Sequence, residues 1–123
     1  MASDAIILFA HGARDPAWAK PVTAVAECLR SRFPDRQIKV AFLEFMSPTL
    51  AEAVVQLRAS STTSIDILPF FIAQGGHLRK ELPEMLEALR ASYPETQLHL
   101  LPPLGELPEV QAAMAKAIAA LVA

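Results

Sequence analysis

Apolar residues recur along this chain in two different periods, and the changes between them mark its elements. Ala5-Ile6-Ile7-Leu8-Phe9-Ala10 is apolar without interruption, as expected of a strand covered on both faces. Ile38 to Leu43, Ser64 to Ile72 and Gln97 to Leu101 read as the second, third and fourth strands. Between them the spacing becomes helical. Trp18, Val22, Val25 and Leu29 fall at i, i+4, i+7 and i+11. Leu50, Ala53, Val54 and Leu57 follow i, i+3, i+4, i+7, as do Leu82, Met85, Leu86 and Leu89. Val110, Met114, Ala117, Ile118 and Leu121 form the last stripe.

The helix starts carry local signals. Ser47-Pro48 offers an N-cap residue followed by proline at the first helical position. Asp15-Pro16 gives the same signal, but Pro21 conflicts with it, because proline in a helix interior removes a hydrogen bond and crowds the preceding turn. Either that helix is kinked or it begins near Pro21. Leu82-Pro83 and Leu107-Pro108 mark the other two starts. Strands alternating with helices imply an α/β fold: a four-stranded parallel sheet, right-handed crossovers and helices on both faces. No Pro- or Gly-rich linker interrupts residues 1–123, so the expectation is a single domain.

Composition narrows the function classes. The chain has 123 residues, 53% of them hydrophobic, a surplus that a doubly covered sheet or an oligomer interface would absorb. A net charge of -2 argues against nucleic acid, which normally demands a basic face. The lone cysteine, Cys28, precludes an internal disulfide and reads as a small buried hydrophobe. No run approaches the roughly 18 apolar residues of a membrane span. Asp4 precedes the first apolar run with no basic segment before it, so that run is not read as a signal peptide, and the expected location is cytoplasmic.

In an open α/β sheet, ligands bind beyond the carboxyl ends of the strands. His11-Gly12-Ala13-Arg14 directly follows the first strand, Glu44 ends the second, Gln74-Gly75-Gly76-His77 follows the third, and Pro102-Pro103-Leu104-Gly105 follows the fourth. Two of three histidines therefore converge on one rim. Neutral imidazole is the commonest ligand for Zn, Cu, Fe and Ni, and cobalt lies in the same affinity series. Two imidazoles with at most one carboxylate would make an open site, suited to an ion in transit. Glu44 is open to three readings: third ligand, substrate contact or solvated strand end. Gly75-Gly76 is either a plain strand-to-helix turn or a place where a flat or anionic ligand approaches the backbone. Arg14, Arg79 and Lys80 are cations near the same rim that could hold substrate carboxylates or simply coat a helix start. His99 lies inside the fourth strand and reads as structural or solvent-facing. The chain has no GxxxxGK[ST] or GxGxxG loop, no CxxC pair and no GxSxG elbow.

Taken in order, four segments resemble the short, single-domain sirohydrochlorin chelatases of the cobalt chelatase type. They are Leu8-Phe9-Ala10-His11-Gly12-Ala13-Arg14-Asp15-Pro16; Phe42-Leu43-Glu44 with Ser47-Pro48-Thr49-Leu50; Pro69 to Leu78 with Leu82-Pro83; and Pro102-Pro103-Leu104-Gly105. Ala10 stands where that family usually has Gly or a similar small residue, Ala13 where it often has Ser, and Glu81 where it usually has Asp. The resemblance implies a flavodoxin-like sheet forming half of a two-lobed chelatase, with two short chains pairing as a homodimer to complete it. It implies His11 and His77 as metal ligands, with His11 also accepting a proton. It implies Glu44 and the stretch Ile72, Ala73, Gln74, Gly75 and Gly76 as substrate contacts. The implied reaction inserts Co2+, Fe2+ or Ni2+ into sirohydrochlorin on the way to cobalamin or sirohaem, with no cofactor beyond the metal substrate. A metal or tetrapyrrole carrier with the same rim, and a flavodoxin-like binding module with incidental histidines, remain alternatives at this level.

Overall fold

The unbroken apolar run becomes the most enclosed strand of the sheet. In the computed structural model, which describes residues 3–123, β1 (Ala5–Ala10) is paired in parallel on both sides, with β2 (Gln37–Phe42) and β3 (Ser64–Pro69). β4 (Gln97–Leu100) extends the sheet beyond β3, giving the order β2-β1-β3-β4, all parallel. The helices α1 (Lys20–Arg32), α2 (Leu50–Ala59), α3 (Gly76–Ser92) and α4 (Pro108–Val122) follow the four strands in turn. Short 3-10 turns at Pro16–Ala19 and Leu104–Glu106 precede α1 and α4. The expected α/β sheet with helices on both faces is the observed one, with strand order 2-1-3-4 as in flavodoxin-like sheets.

The two faces are unequally covered. On one, Ala5, Ile7, Phe9, Ala41, Ile65 and Ile67 pack against Leu50, Ala53, Val54 and Leu57 of α2 and Leu78, Leu82 and Leu86 of α3. Burying each such Leu, Ile or Phe contributes about 1.5–3 kcal/mol. On the other, Leu8, Ala10, Ile38 and Phe42 meet Val22 and Ala26 of α1. That cover thins across β3 and β4. Leu68 and Phe70 are only half-buried, His99 is exposed, and α4 has no buried residue.

Local competition moved several boundaries. β3 stops at Pro69 instead of Ile72, and β2 at Phe42 instead of Leu43. α1 is not kinked. Asp15 accepts from the Ala17 amide and starts the 3-10 turn, and α1 begins afresh at Lys20 with Pro21 in its first turn, where a missing N–H costs nothing. This rotates the stripe, so Val22 and Ala26 are buried while Trp18 and Val25 are exposed. Cys28 lies on the outward side and is exposed, against expectation. α2 starts at Leu50 rather than at Pro48. Thr49 is its N-cap, accepting from the Glu52 amide while the Glu52 carboxylate accepts from the Thr49 amide, a reciprocal capping box. α3 starts six residues before Leu82-Pro83 and runs through Pro83. A proline inside a helix, through its lost bond and crowded ring, costs about 3 kcal/mol, and burial of Leu78, Leu82 and Leu86 on the same helix outweighs it.

Candidate functional site

Because β1 and β3 are adjacent and parallel, the segments leaving their carboxyl ends emerge side by side. His11 follows β1 immediately. Beyond the strands proper, Leu43 N donates to Ala10 O (2.9 Å) and Glu44 N to His11 O (3.1 Å), so the chain after β2 stays laced to the chain after β1. Gly12 completes this seam. Its φ is +84°, and a Cβ there would lie 2.0 Å from the Glu44 carbonyl oxygen. The close approach of His11 and Glu44 therefore requires glycine between them. Glu44 is in the loop after β2, exposed, and not at the strand end.

The His11 ring lies 4.4 Å from the ring of Phe71, tilted by 43°. Phe71 is buried and contacts Phe9 edge-on at 6.1 Å. The imidazole is thus backed by the core while its residue stays exposed. Past β3, Phe70 N donates to Phe9 O (2.7 Å), tying the third loop to β1. Ile72 is 76% exposed at the start of that loop. Gly105 buttresses it from behind. The Gly105 N–H donates to Phe71 O (2.8 Å), and a Cβ at 105 would meet the Ile72 carbonyl oxygen at 1.8 Å.

Gly75 and Gly76 behave differently. Neither has a positive φ, and a Cβ on either would meet nothing within 4 Å. The fold does not demand glycine there, and the space it leaves faces outward, open to a ligand. His77, in the first turn of α3, is exposed, with Nε2 2.9 Å from Oε2 of Glu81 one turn on. If Nε2–H is given to that carboxylate, Nδ1 is the nitrogen left to bind a metal. The sequence held the His-x-x-x-Glu spacing, but the pairing was not read from it. Arg14 stacks over Phe45 at 4.7 Å, and Arg79 pairs with Glu106 at 3.6 Å. Lys80 is exposed on α3. His99 is exposed on β4, away from the rim. No group of three or more His, Cys, Asp or Glu side chains placed to hold a metal ion occurs among the described residues.

The family model for CbiX matches residues 5–121. The chain belongs to the CbiX family. Among its relatives, the sirohydrochlorin cobaltochelatase of Saccharolobus solfataricus is 31% identical over 106 residues, covering 81% of each chain. That of Methanococcoides burtonii is 33% identical over 82 residues, 67% of this chain and 63% of the relative. The match to the Methanopyrus kandleri enzyme takes in 57% of that relative's length. In structure, this CbiX-family chain resembles the cobalamin (vitamin B12) biosynthesis CbiX protein of Marinobacter aquaeolei, with TM-score 0.84, 30% identity and 96% of both chains covered. The sirohydrochlorin chelatase SirB of Bacillus subtilis subspecies spizizenii, in complex with cobalt, shares the fold at TM-score 0.79 and 21% identity, over 95% of this chain and 50% of that one. No helix among the described residues is long and apolar enough to cross a membrane.

Proposed function

We propose that this CbiX-family chain is a chelatase domain over residues 1–123 that inserts a divalent metal, Co2+ or else Fe2+ or Ni2+, into sirohydrochlorin. It does so as a cytoplasmic homodimer, with no resident cofactor. What supports this is that β1 and β3 are adjacent and parallel, so that the segments bearing His11 and His77 both leave the same edge of the sheet. Relatives named for this activity support it.

Insertion replaces two pyrrole N–H protons by one divalent ion, so two protons leave for each metal that enters. His11 and His77 receive the ion with positions open for the macrocycle nitrogens, and Glu44 approaches from the neighbouring loop. A neutral imidazole is a base, so His11 accepts one pyrrole proton as the metal moves off it, and water takes the other. The exposed backbone from Ile72 to Gly76 offers a surface on which the flat ring can lie, and Arg14, Arg79 and Lys80 meet its carboxylates. Pairing of two copies is supported by the exposed apolar residues of α4 and by the thin cover over β3 and β4. It is supported too by the two-fold greater length of SirB, half of which matches this chain.

The test follows sirohydrochlorin metallation by absorbance with Co2+, Fe2+ and Ni2+ in turn, for the wild type and for His11→Ala and His77→Ala. The expected outcome is acceleration over the spontaneous reaction, falling at least about a hundredfold in His11→Ala, the range set by losing a general base. Full activity in both variants defeats the mechanism. Binding without acceleration in the wild type identifies a carrier instead.

A further inference from the structure

Trp18 is the only tryptophan of the chain, and it is 75% exposed. It lies on a 3-10 turn with no buried residue, so nothing in the fold itself calls for an indole there. It does line a cleft. The cleft, of about 200 Å³, opens beside His11 and is walled by Ala10, Phe42, Met46, Phe70 and Trp18. His11 contributes the only ionisable side chain to it. An imidazole in the lining of an otherwise apolar slot suits a ligand that is flat and apolar at its edge and bears metal-binding nitrogens inside. Sites that enclose a whole ligand run to about 300–1,000 Å³, so this cleft would take one edge of such a ring system. Arg14, three residues after His11, is held over Phe45 at 4.7 Å, with its guanidinium available for a carboxylate at the periphery of the same ligand.

We propose that Trp18, which lines the cleft together with Met46 and Phe70, is the wall against which the conjugated ring of the tetrapyrrole packs, making Trp18 a binding residue that selects flat macrocycles. This rests on the chelatase reading above. A second copy is the other candidate occupant; a cleft whose one ionisable side chain is an imidazole suits a ring bearing metal-binding nitrogens better, and sedimentation separates the two.

The experiment compares the wild type with Trp18→Ala and Trp18→Phe. It titrates metal-free sirohydrochlorin by absorbance, measures steady-state metallation, measures Co2+ binding without tetrapyrrole, and compares sedimentation. Trp18→Ala is expected to raise Kd and KM for the tetrapyrrole about tenfold, an aromatic-contact effect, with kcat and Co2+ affinity close to wild type. Trp18→Phe is expected to restore Kd to within about threefold. A wild type that binds and metallates beside a Trp18→Ala variant of unchanged Kd overturns this proposal alone. So does an equal loss of Co2+ affinity, which would mark a structural role, or a change in sedimentation at unchanged Kd, which would mark an interface between copies. A wild type that leaves the tetrapyrrole spectrum untouched overturns the chelatase reading and this one together.

Discussion

Gly12 and Gly75 are identical side chains under opposite constraints. At Gly12 a methyl group would collide with the Glu44 carbonyl and the left-handed φ would be strained as well. Gly12→Ala is expected to cost about 1–3 kcal/mol and to abolish metallation by prising the His11 and Glu44 loops apart. Gly75→Ala, which adds a methyl into open space, should leave stability within about 0.5 kcal/mol while weakening tetrapyrrole binding. Urea midpoints and spectral titrations of both variants check the contrast, and equal destabilisation would refute it. Asp4 offers a residue-scale prediction at the opposite edge of the sheet. Its carboxylate accepts from the amide (3.0 Å) and hydroxyl (2.8 Å) of Thr63, ties the start of β1 to that of β3, and is held below the usual carboxylate pKa by those bonds, the amide foremost. A carboxyl with a lowered folded-state pKa stabilises above its unfolded pKa of about 3.9 and loses that contribution as pH falls through the folded value. The wild type should therefore exceed Asp4→Asn in urea midpoint at pH 6, with the gap closing below about pH 4.

At the scale of elements, the sequence signals competed and the stronger local geometry prevailed. Ser47-Pro48 looked like the start of α2, yet the start went to Thr49, where two reciprocal bonds with Glu52 satisfy amides that a proline start leaves open. Thr49→Ala should cost about 1 kcal/mol and Thr49→Ser very little, read as thermal midpoints. An equal effect of both would remove the capping box as the cause. Trp18 was expected on the buried stripe of α1 because it keeps helical spacing with Val22, but periodicity carries no information about a 3-10 turn inserted between them. The inserted turn instead places Trp18 in the wall of the cleft beside His11.

At the scale of the molecule, α4 is the element the isolated chain does not account for. Its sequence carries only Glu109 and Lys116 as charges, and Ile118 and Leu121 are 60% and 84% exposed. Exposed apolar residues on one helix are what an interaction face would present. If two copies bury it, Ile118→Glu together with Leu121→Glu should shift sedimentation from dimer to monomer at micromolar concentration. The His11–Glu44 seam should persist, because its bonds are all internal to one chain. A doubly substituted protein that sediments as the wild type would place the pairing face elsewhere.

The strand–helix alternation, the parallel sheet and the placement of His11, Glu44 and the Ile72–His77 segment on one rim were legible in the sequence alone. Each follows from short-range periodicity plus the rule that parallel strands share a carboxyl edge. What needed the tertiary structure was everything set by through-space approach. That includes the glycine seam between His11 and Glu44, the Phe71 ring behind the imidazole, and the clamp of Gly105 on Ile72. It also includes the outward rotation of Trp18 and Cys28 and the uncovered face of α4. These are contacts between residues far apart in the chain, or rotations of a few tens of degrees about a helix axis, and a linear pattern encodes neither.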